Sequence, residues 1–345
     1  MFDKHFVTLC KQRWDGIAKP LGSLGKLEDI VCQLAGIQHT LDVSIDRRVC
    51  LVMCADNGVV AEGVTQTDAS ITAMQSARIA QGQGSVNTMA RLARCDVVAV
   101  DVGINTDLNI PDILTRKAGH GTGNIATGPA MTEEQLQQTL RTGINLVGEM
   151  KAKGYQIICT GEMGIGNTTT TSAVASVLLG VEPQRITGRG AGLSDAGLAR
   201  KLDAIQRAIA VNQPDANNAQ DVLRKLGGFD IAALTGIFLG GHYHQMPIVM
   251  DGVISCLSAL LAVRMEPRCY DYLFASHQSR EPAAQLVLAE LNLSPLLHAD
   301  MALGEGTGAV AVLPLLDMAL AVYNHESTFE QINMKPYVPS ELQTL

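Results

Sequence analysis

Two glutamates sit inside glycine turns. Glu162 lies in Gly161-Glu162-Met163-Gly164-Ile165-Gly166-Asn167-Thr168-Thr169-Thr170, and Glu305 in Gly304-Glu305-Gly306-Thr307-Gly308. A carboxylate flanked by glycines has little shielding from its neighbours. With apolar Met301 and Leu303 just upstream, Glu305 has the setting of a general base, although either glutamate alone also reads as an ordinary solvated loop residue. Two more glycine clusters accompany them, Gly119-His120-Gly121-Thr122-Gly123-Asn124 and Gly188-Arg189-Gly190-Ala191-Gly192, in a chain with 33 glycines. Glycine lets backbone N–H groups approach an anion, and a following helix N-terminus adds its dipole. Asn167 and Thr168 to Thr171 add side-chain donors, while Arg189 and Lys201 are cations that can pair with phosphate. One such cluster would mean no more than a tight strand-to-helix turn. Four, each with polar side chains, point to a phosphate-bearing ligand. No Gly-Lys-Ser/Thr follows any of them, so none is a Walker A loop. Gly304-x-Gly306-x-x-Ala309 has the spacing of a dinucleotide fingerprint but lacks the following βαβ unit and its acidic residue.

These residues need elements to position them. Val49–Met53, Val97–Val100, Ile157–Cys159 and Ile248–Met250 are short apolar runs, each followed by polar or glycine turn residues. Such runs alternating with helical patterns predict buried parallel strands with helices on both faces. Thr132–Lys153 is one helix, opened by a capping box of Thr132 and Gln135. Leu198–Ala210 is another, with an apolar stripe at 198, 202, 205 and 209. The first 45 residues carry helical patterns joined by Lys19-Pro20-Leu21-Gly22-Ser23-Leu24-Gly25, and the polar tail contains Pro336 and Pro339. The expected organisation is an α/β fold, a Rossmann-like open parallel sheet with helices on both faces over residues 46–324, plus a small helical domain from residues 1–45 and 325–345.

Composition removes other classes. Hydrophobic residues make up 47% and charged residues 17%, too apolar and too balanced for disorder. The net charge of −8 and the absence of a basic run argue against nucleic acid. The apolar stretch 248–263 is interrupted by Asp251, Gly252 and serines, and Met1–Trp14 is charged where a signal peptide is apolar, so a soluble cytoplasmic protein with no membrane partner is expected. The eight cysteines form no CxxC pair and read as buried, reduced thiols, with no metal site. His242-Tyr243-His244 has a ligand-like spacing without a third ligand nearby, and reads as a surface turn.

Taken together the motifs resemble one family, the nicotinate-nucleotide–dimethylbenzimidazole phosphoribosyltransferases of cobalamin biosynthesis. The resemblance runs from residue 19 to about 320. It is carried by Lys19–Glu28, Cys54-Ala55-Asp56-Asn57-Gly58-Val59, Gly123-Asn124-Ile125-Ala126, Gly161–Thr169 and Gly188-Arg189-Gly190. Leu226-Gly227-Gly228-Phe229-Asp230, Met250-Asp251-Gly252, Ser276-His277 and Leu303–Gly308 complete it. It implies transfer of the 5-phosphoribosyl group of nicotinate mononucleotide to a lower-ligand base, giving an α-riboside 5′-phosphate and nicotinate, without metal or cofactor. It implies Glu305 as the base, Glu162 near the ribose, and Gly164, Asn167, Thr168, Thr169, Gly190 and Lys201 on the nucleotide and its phosphate. Thr67, Met74, Gln75 and Leu303 would form the acceptor pocket.

Two departures bear on the acceptor. The family usually has serine and proline after Glu62-Gly63-Val64, where this chain reads Thr65-Gln66-Thr67-Asp68-Ala69, and Ala283-Ala284 replaces a frequent Gly-His. The acceptor therefore stays open among 5,6-dimethylbenzimidazole, another benzimidazole, a purine and a phenol. The resemblance also implies a dimer, a homodimer or one formed with a paralogue. The competing readings are a non-catalytic or partner-dependent paralogue subunit, against which the presence of Glu305 argues, and a nucleotide hydrolase.

Overall fold

The structure is a computed structural model that describes residues 1–106, 109–190 and 192–337. Ala191 of the third glycine cluster and the end of the tail, with Pro339, lie outside the described residues. The chain divides into two compact units, Arg47–Ala311 and the combination of Met1–Asp46 with Val312–Leu345.

The larger unit is built on a six-stranded sheet of order β3-β2-β1-β4-β5-β6. Its strands are β1 (Arg48–Ala55), β2 (Asp96–Gly103), β3 (Leu114–Thr115), β4 (Ile157–Met163), β5 (Ile248–Met250) and β6 (Leu273–Ala275). Every neighbouring pair is parallel. All eight positions of β1 are buried, as in a sheet covered on both faces. The four expected strands are present. Strands β3 and β6 are additional: β3 has only two residues, and β6 is a three-residue strand that follows the Pro267–Tyr272 turn without a break.

Helix Glu133–Ala152 starts as expected: Thr132 Oγ1 accepts the Gln135 N–H at 3.2 Å, and Gln135 Oε1 accepts the Thr132 N–H at 2.9 Å. It packs backbone to backbone against helix Phe229–His244. A Cβ on Gly143 would collide with the Ala233 oxygen, and one on Gly236 with the Leu140 oxygen. Residues 229–241 of the latter helix are all buried, and its N-terminus lies against the strand ends, since a Cβ on Gly103 would collide with the Phe229 ring. The His242-Tyr243-His244 segment is the last turn of this helix rather than a surface turn. Helix Asp195–Asn212 buries Gly197, Lys201, Ala204, Ile205 and Ala208. Its inner face is thus rotated from the 198/202/205/209 stripe, because the buried lysine does not register as apolar.

The smaller unit holds helices Lys4–Gly16, Lys26–Gln38 and Leu313–His325. The last of these begins just after the unit boundary at Val312, earlier than the expected 325. Trp14 and Tyr323 pack with ring centroids 5.0 Å apart, and the Arg13 guanidinium lies 4.2 Å from the Tyr323 ring centre. The Lys19–Gly25 loop is tied back by Lys19 Nζ to Glu28 Oε1 at 2.6 Å. Among the described residues one helical stretch, Thr307–His325, is long and apolar enough to cross a membrane, and 56% of its apolar window is buried inside the protein, as in a core helix. All eight cysteines are buried and free.

Candidate active site

Strand order reverses between β1 and β4, and ligands in such sheets bind outside the carboxyl ends of the strands near that point. A cavity of about 240 Å³ opens there. The turn after β4, Glu162 to Thr168, forms one wall. Asp251 to Ser255 after β5, with His277, Ser279 and Glu281 after β6, form the next. The Ala302–Glu305 turn, Val64–Thr67, Arg189, Gly190 and Leu193 complete the lining.

Glu305 occupies an unusual backbone. Its φ is +62°, between Gly304 at +83° and Gly306 at +93°, so three successive residues are left-handed, a conformation that costs a non-glycine residue about 1 kcal/mol or more. Close packing enforces it. A Cβ on Gly161 would lie 2.5 Å from the Glu305 carbonyl oxygen, and one on Gly306 would lie 2.5 Å from Cys50 Sγ. Buried Asp251 holds the turn from beneath. Its Oδ2 accepts the Gly306 N–H at 3.1 Å, and its Oδ1 accepts those of Gly308 and Ala309 at 2.7 and 3.2 Å. The Glu305 side chain is 8% exposed. Its Oε1 accepts from Gln75 Nε2 at 2.6 Å and its Oε2 from the Val86 N–H at 3.3 Å. The shielding absent from its chain neighbours is therefore supplied by distant ones.

Glu162 is the penultimate residue of β4, and its carboxylate accepts from Asn167 Nδ2, which also donates to Asp230 Oδ2 at 2.9 Å. Burial pushes the Glu162 carboxyl up to about 8, with repulsion from Asp230 adding to it and the Asn167 amide opposing. Asp230 is fully buried at the start of helix Phe229–His244, where its Oδ1 accepts the Ile231 N–H at 3.0 Å. Burial raises it to about 6, against the opposing pull of Asn167.

Gly164 to Gly166 lead into helix Asn167–Leu179, whose N-terminus with Gly166 at φ +95° faces the cavity. This is an anion-binding geometry. Lys201, fully buried, backs it: Nζ donates to Thr168 Oγ1 at 3.0 Å and to the Gly188 oxygen at 3.1 Å. Burial holds the Lys201 amine down to about 8, with Glu281 opposing. Gly190, at φ +54°, sits above Thr168 and Lys201, so that a Cβ there would be 3.0 and 3.7 Å from them. Arg189 is engaged with the Leu193 oxygen at 2.8 Å and with Asp195.

The cavity wall thus gathers Glu162, Gly164, Asn167, Thr168, Gly190, Thr67, Leu303 and Glu305. Gln75 meets it through Glu305, and Lys201 through Thr168. Met74 is 54% exposed and Thr169 fully buried, and neither lines the cavity. The Gly119–Asn124 cluster does not line it either. Its glycines serve close packing: a Cβ on Gly123 would lie 2.7 Å from the Pro129 oxygen, and one on Gly119 would lie 3.2 Å from the Phe229 ring. Sequence reasoning gave no role to Asp230, Asp251, His277, Ser279 or Glu281. Asp230, Asp251 and His277 stand in family motifs, and the signal missing from sequence was the pairing of those motifs in space. His277 explains one glycine, since a Cβ on Gly308 would collide with its ring. Among the described residues no group of three His, Cys, Asp or Glu is placed to hold a metal ion.

The sheet and the cavity at its carboxyl edge are those of an α/β enzyme. The family model described as phosphoribosyltransferase matches residues 1–334. A nicotinate-nucleotide–dimethylbenzimidazole phosphoribosyltransferase of Ruminiclostridium cellulolyticum is 45% identical over 331 residues, 96% of this chain and 94% of that protein. A protein of the same name from Acetivibrio thermocellus is 43% identical over 97% of this chain and 96% of its own length. The crystal structure of CobT from Thermus thermophilus superposes with a TM-score of 0.91 at 38% identity, covering 96% of this chain and 100% of that one. The chain belongs to this phosphoribosyltransferase family and is a pentosyltransferase.

Proposed function

We propose that the enzyme transfers the 5-phosphoribosyl group of nicotinate mononucleotide to 5,6-dimethylbenzimidazole or a related benzimidazole, purine or phenol. The products are an α-riboside 5′-phosphate and nicotinate, for cobamide assembly. The observation that carries this reading is Glu305, a carboxylate fixed by donors on both oxygens at the wall of a cavity whose other wall is a glycine-rich helix N-terminus.

In this reading the phosphate lies over Gly164 to Thr168 and Gly190, with Lys201 supplying charge through the Thr168 hydroxyl. The pyridinium is an activated leaving group and needs no strong acid. Glu305 takes the N–H proton of the acceptor while the other ring nitrogen attacks C1′ from the face opposite nicotinate, so one displacement turns a β-nucleotide into an α-riboside. Glu162, beside the ribose, stabilises the cationic character that develops there. Cavity walls that align acceptor and C1′ supply much of the remaining rate. Thr67, Gln75 and Leu303 border the acceptor, and exposed Leu303 offers it apolar surface. Met74 belongs to this group only if the acceptor extends past the cavity.

The protein works as a soluble cytoplasmic homodimer, the simplest closed assembly. Incubation with nicotinate mononucleotide and a panel of benzimidazoles, purines and phenols, followed by mass spectrometry, tests the reaction. An α-riboside phosphate supports it, whereas ribose 5-phosphate as the sole product makes the enzyme a hydrolase.

A further inference from the structure

We propose that Asp230 is a positioning residue of the transfer reaction, acting on Glu162 through the Asn167 amide. This rests on the reading of Glu162 as the residue beside the ribose. Asp230 does not line the cavity and so does not touch substrate. Its link to the cavity is the Asn167 Nδ2 group, which gives one hydrogen to Glu162 and the other to Asp230. With both hydrogens committed, the Asn167 amide has one orientation, and the Glu162 carboxylate that accepts from it is fixed in turn.

The carboxylate of Asp230 cannot swing away. A Cβ on Gly164 would lie 2.5 Å from its Oδ2, and a Cβ on Gly228 would lie 2.5 Å from its Oδ1 and collide with Asn57 Oδ1. Two glycines therefore clamp it beside Asn57, which follows β1, and Asn167, which follows β4. These are the two strands at the reversal of sheet order. The groups that hydrogen-bond to Asp230 are neutral, the Asn167 amide and the Ile231 N–H among them. A buried carboxylate without a cation is costly where packing is its sole task. The start of a 16-residue helix offsets part of that cost.

The groups that face Glu162 are acidic as well: Asp230, Asp251 and Glu305. The pyridinium of the nucleotide is the cation that would complement this cluster. Bound there, it draws the proton off Glu162, and Asp230 determines how strongly that proton is held beforehand.

The test compares Asp230→Asn, Glu162→Gln and the double variant with wild type, using nicotinate mononucleotide and 5,6-dimethylbenzimidazole between about pH 6 and 9.5, with kcat and KM read separately. Asp230→Asn is expected to lower kcat about tenfold, to change the nucleotide KM less than about threefold, and to move the pH midpoint of kcat to lower pH. In the Glu162→Gln background the same change is expected to cost less than about twofold, because coupled sites are not additive. Equal losses in both backgrounds with an unmoved midpoint would overturn the proposal. If Asp230→Asn does not fold, Asn167→Ser breaks the same link, and additive losses with Glu162→Gln overturn it equally. Calorimetry separates this inference from the reaction itself. Wild type that binds nicotinate mononucleotide but forms no product refutes the transferase reading. The link is then judged by proton release on binding at about pH 7–8, which Asp230→Asn should diminish; unchanged release refutes it.

Discussion

The Gln75 amide donates to Glu305 Oε1 at 2.6 Å across 230 residues of sequence. Gln75 lies on helix Ser70–Ala80, and the N–H of Val86 on the following helix holds the other carboxylate oxygen. A segment between β1 and β2 thereby aims a side chain that enters the fold after β6.

Replacing Glu305 by glutamine preserves size and removes the base. The fold and nucleotide binding should survive, while transfer falls by about 10²–10⁴-fold, the usual worth of a general base. Product formation by mass spectrometry, with circular dichroism as the folding control, decides it. Activity within a few-fold of wild type would reject the assignment.

Glu162 gives a pH-dependent stability prediction. Its folded value of about 8 lies above the unfolded value of about 4.3. Between those values the folded protein holds a proton that the unfolded chain has lost, so this group's contribution falls as pH rises. Glu162→Gln has no such loss. The variant's melting temperature should therefore gain on wild type from pH 5 to pH 8 in scanning calorimetry. A difference that stays flat over that range contradicts the raised value.

Asp251 accepts three N–H groups of the 306–309 segment. Asparagine offers a single acceptor oxygen and no charge. Hydrogen bonds to charged groups are worth about 1.5–3 kcal/mol each, so Asp251→Asn should lower the melting temperature and release the Glu305 turn. The expected kinetic result is a kcat loss of at least about tenfold, as displaced catalytic groups show. An unchanged melting temperature and kcat would mean that the turn holds itself.

Deleting residues 1–18 removes Trp14, the ring packed on Tyr323 in the smaller unit. The larger unit has its own sheet and core, and its far-ultraviolet circular dichroism should be retained. Sedimentation should then show loss of the proposed dimer or, if that dimer persists, the assay should show impaired acceptor use. A monomeric wild type with full activity would exclude the homodimer.

Much of the fold is legible in the chain because burial leaves a local record. Val49–Met53 and Ile248–Met250 are apolar throughout since both faces of the sheet are covered, and the Thr132–Gln135 box announces its helix. Strands β3 and β6 are not legible, being set by their neighbours in the sheet. The buried face of Asp195–Asn212 departs from its apolar stripe because Lys201 is charged yet inside.

For the site, residue types and glycine spacing alone singled out Glu162, Glu305 and the Gly164–Thr169 cradle as candidate chemistry. What they lacked was pairing. That Gln75 reaches Glu305, that Asn167 joins Glu162 to Asp230, and that Asp251 grips the Gly306–Ala309 segment are contacts between stretches distant in sequence. The Gly119–Asn124 cluster resembles the others in sequence and stands apart in space, because close backbone packing and ligand approach both demand a residue without a side chain. Sequence records that a side chain must be absent; the fold alone decides whether protein backbone or a ligand takes the vacated space.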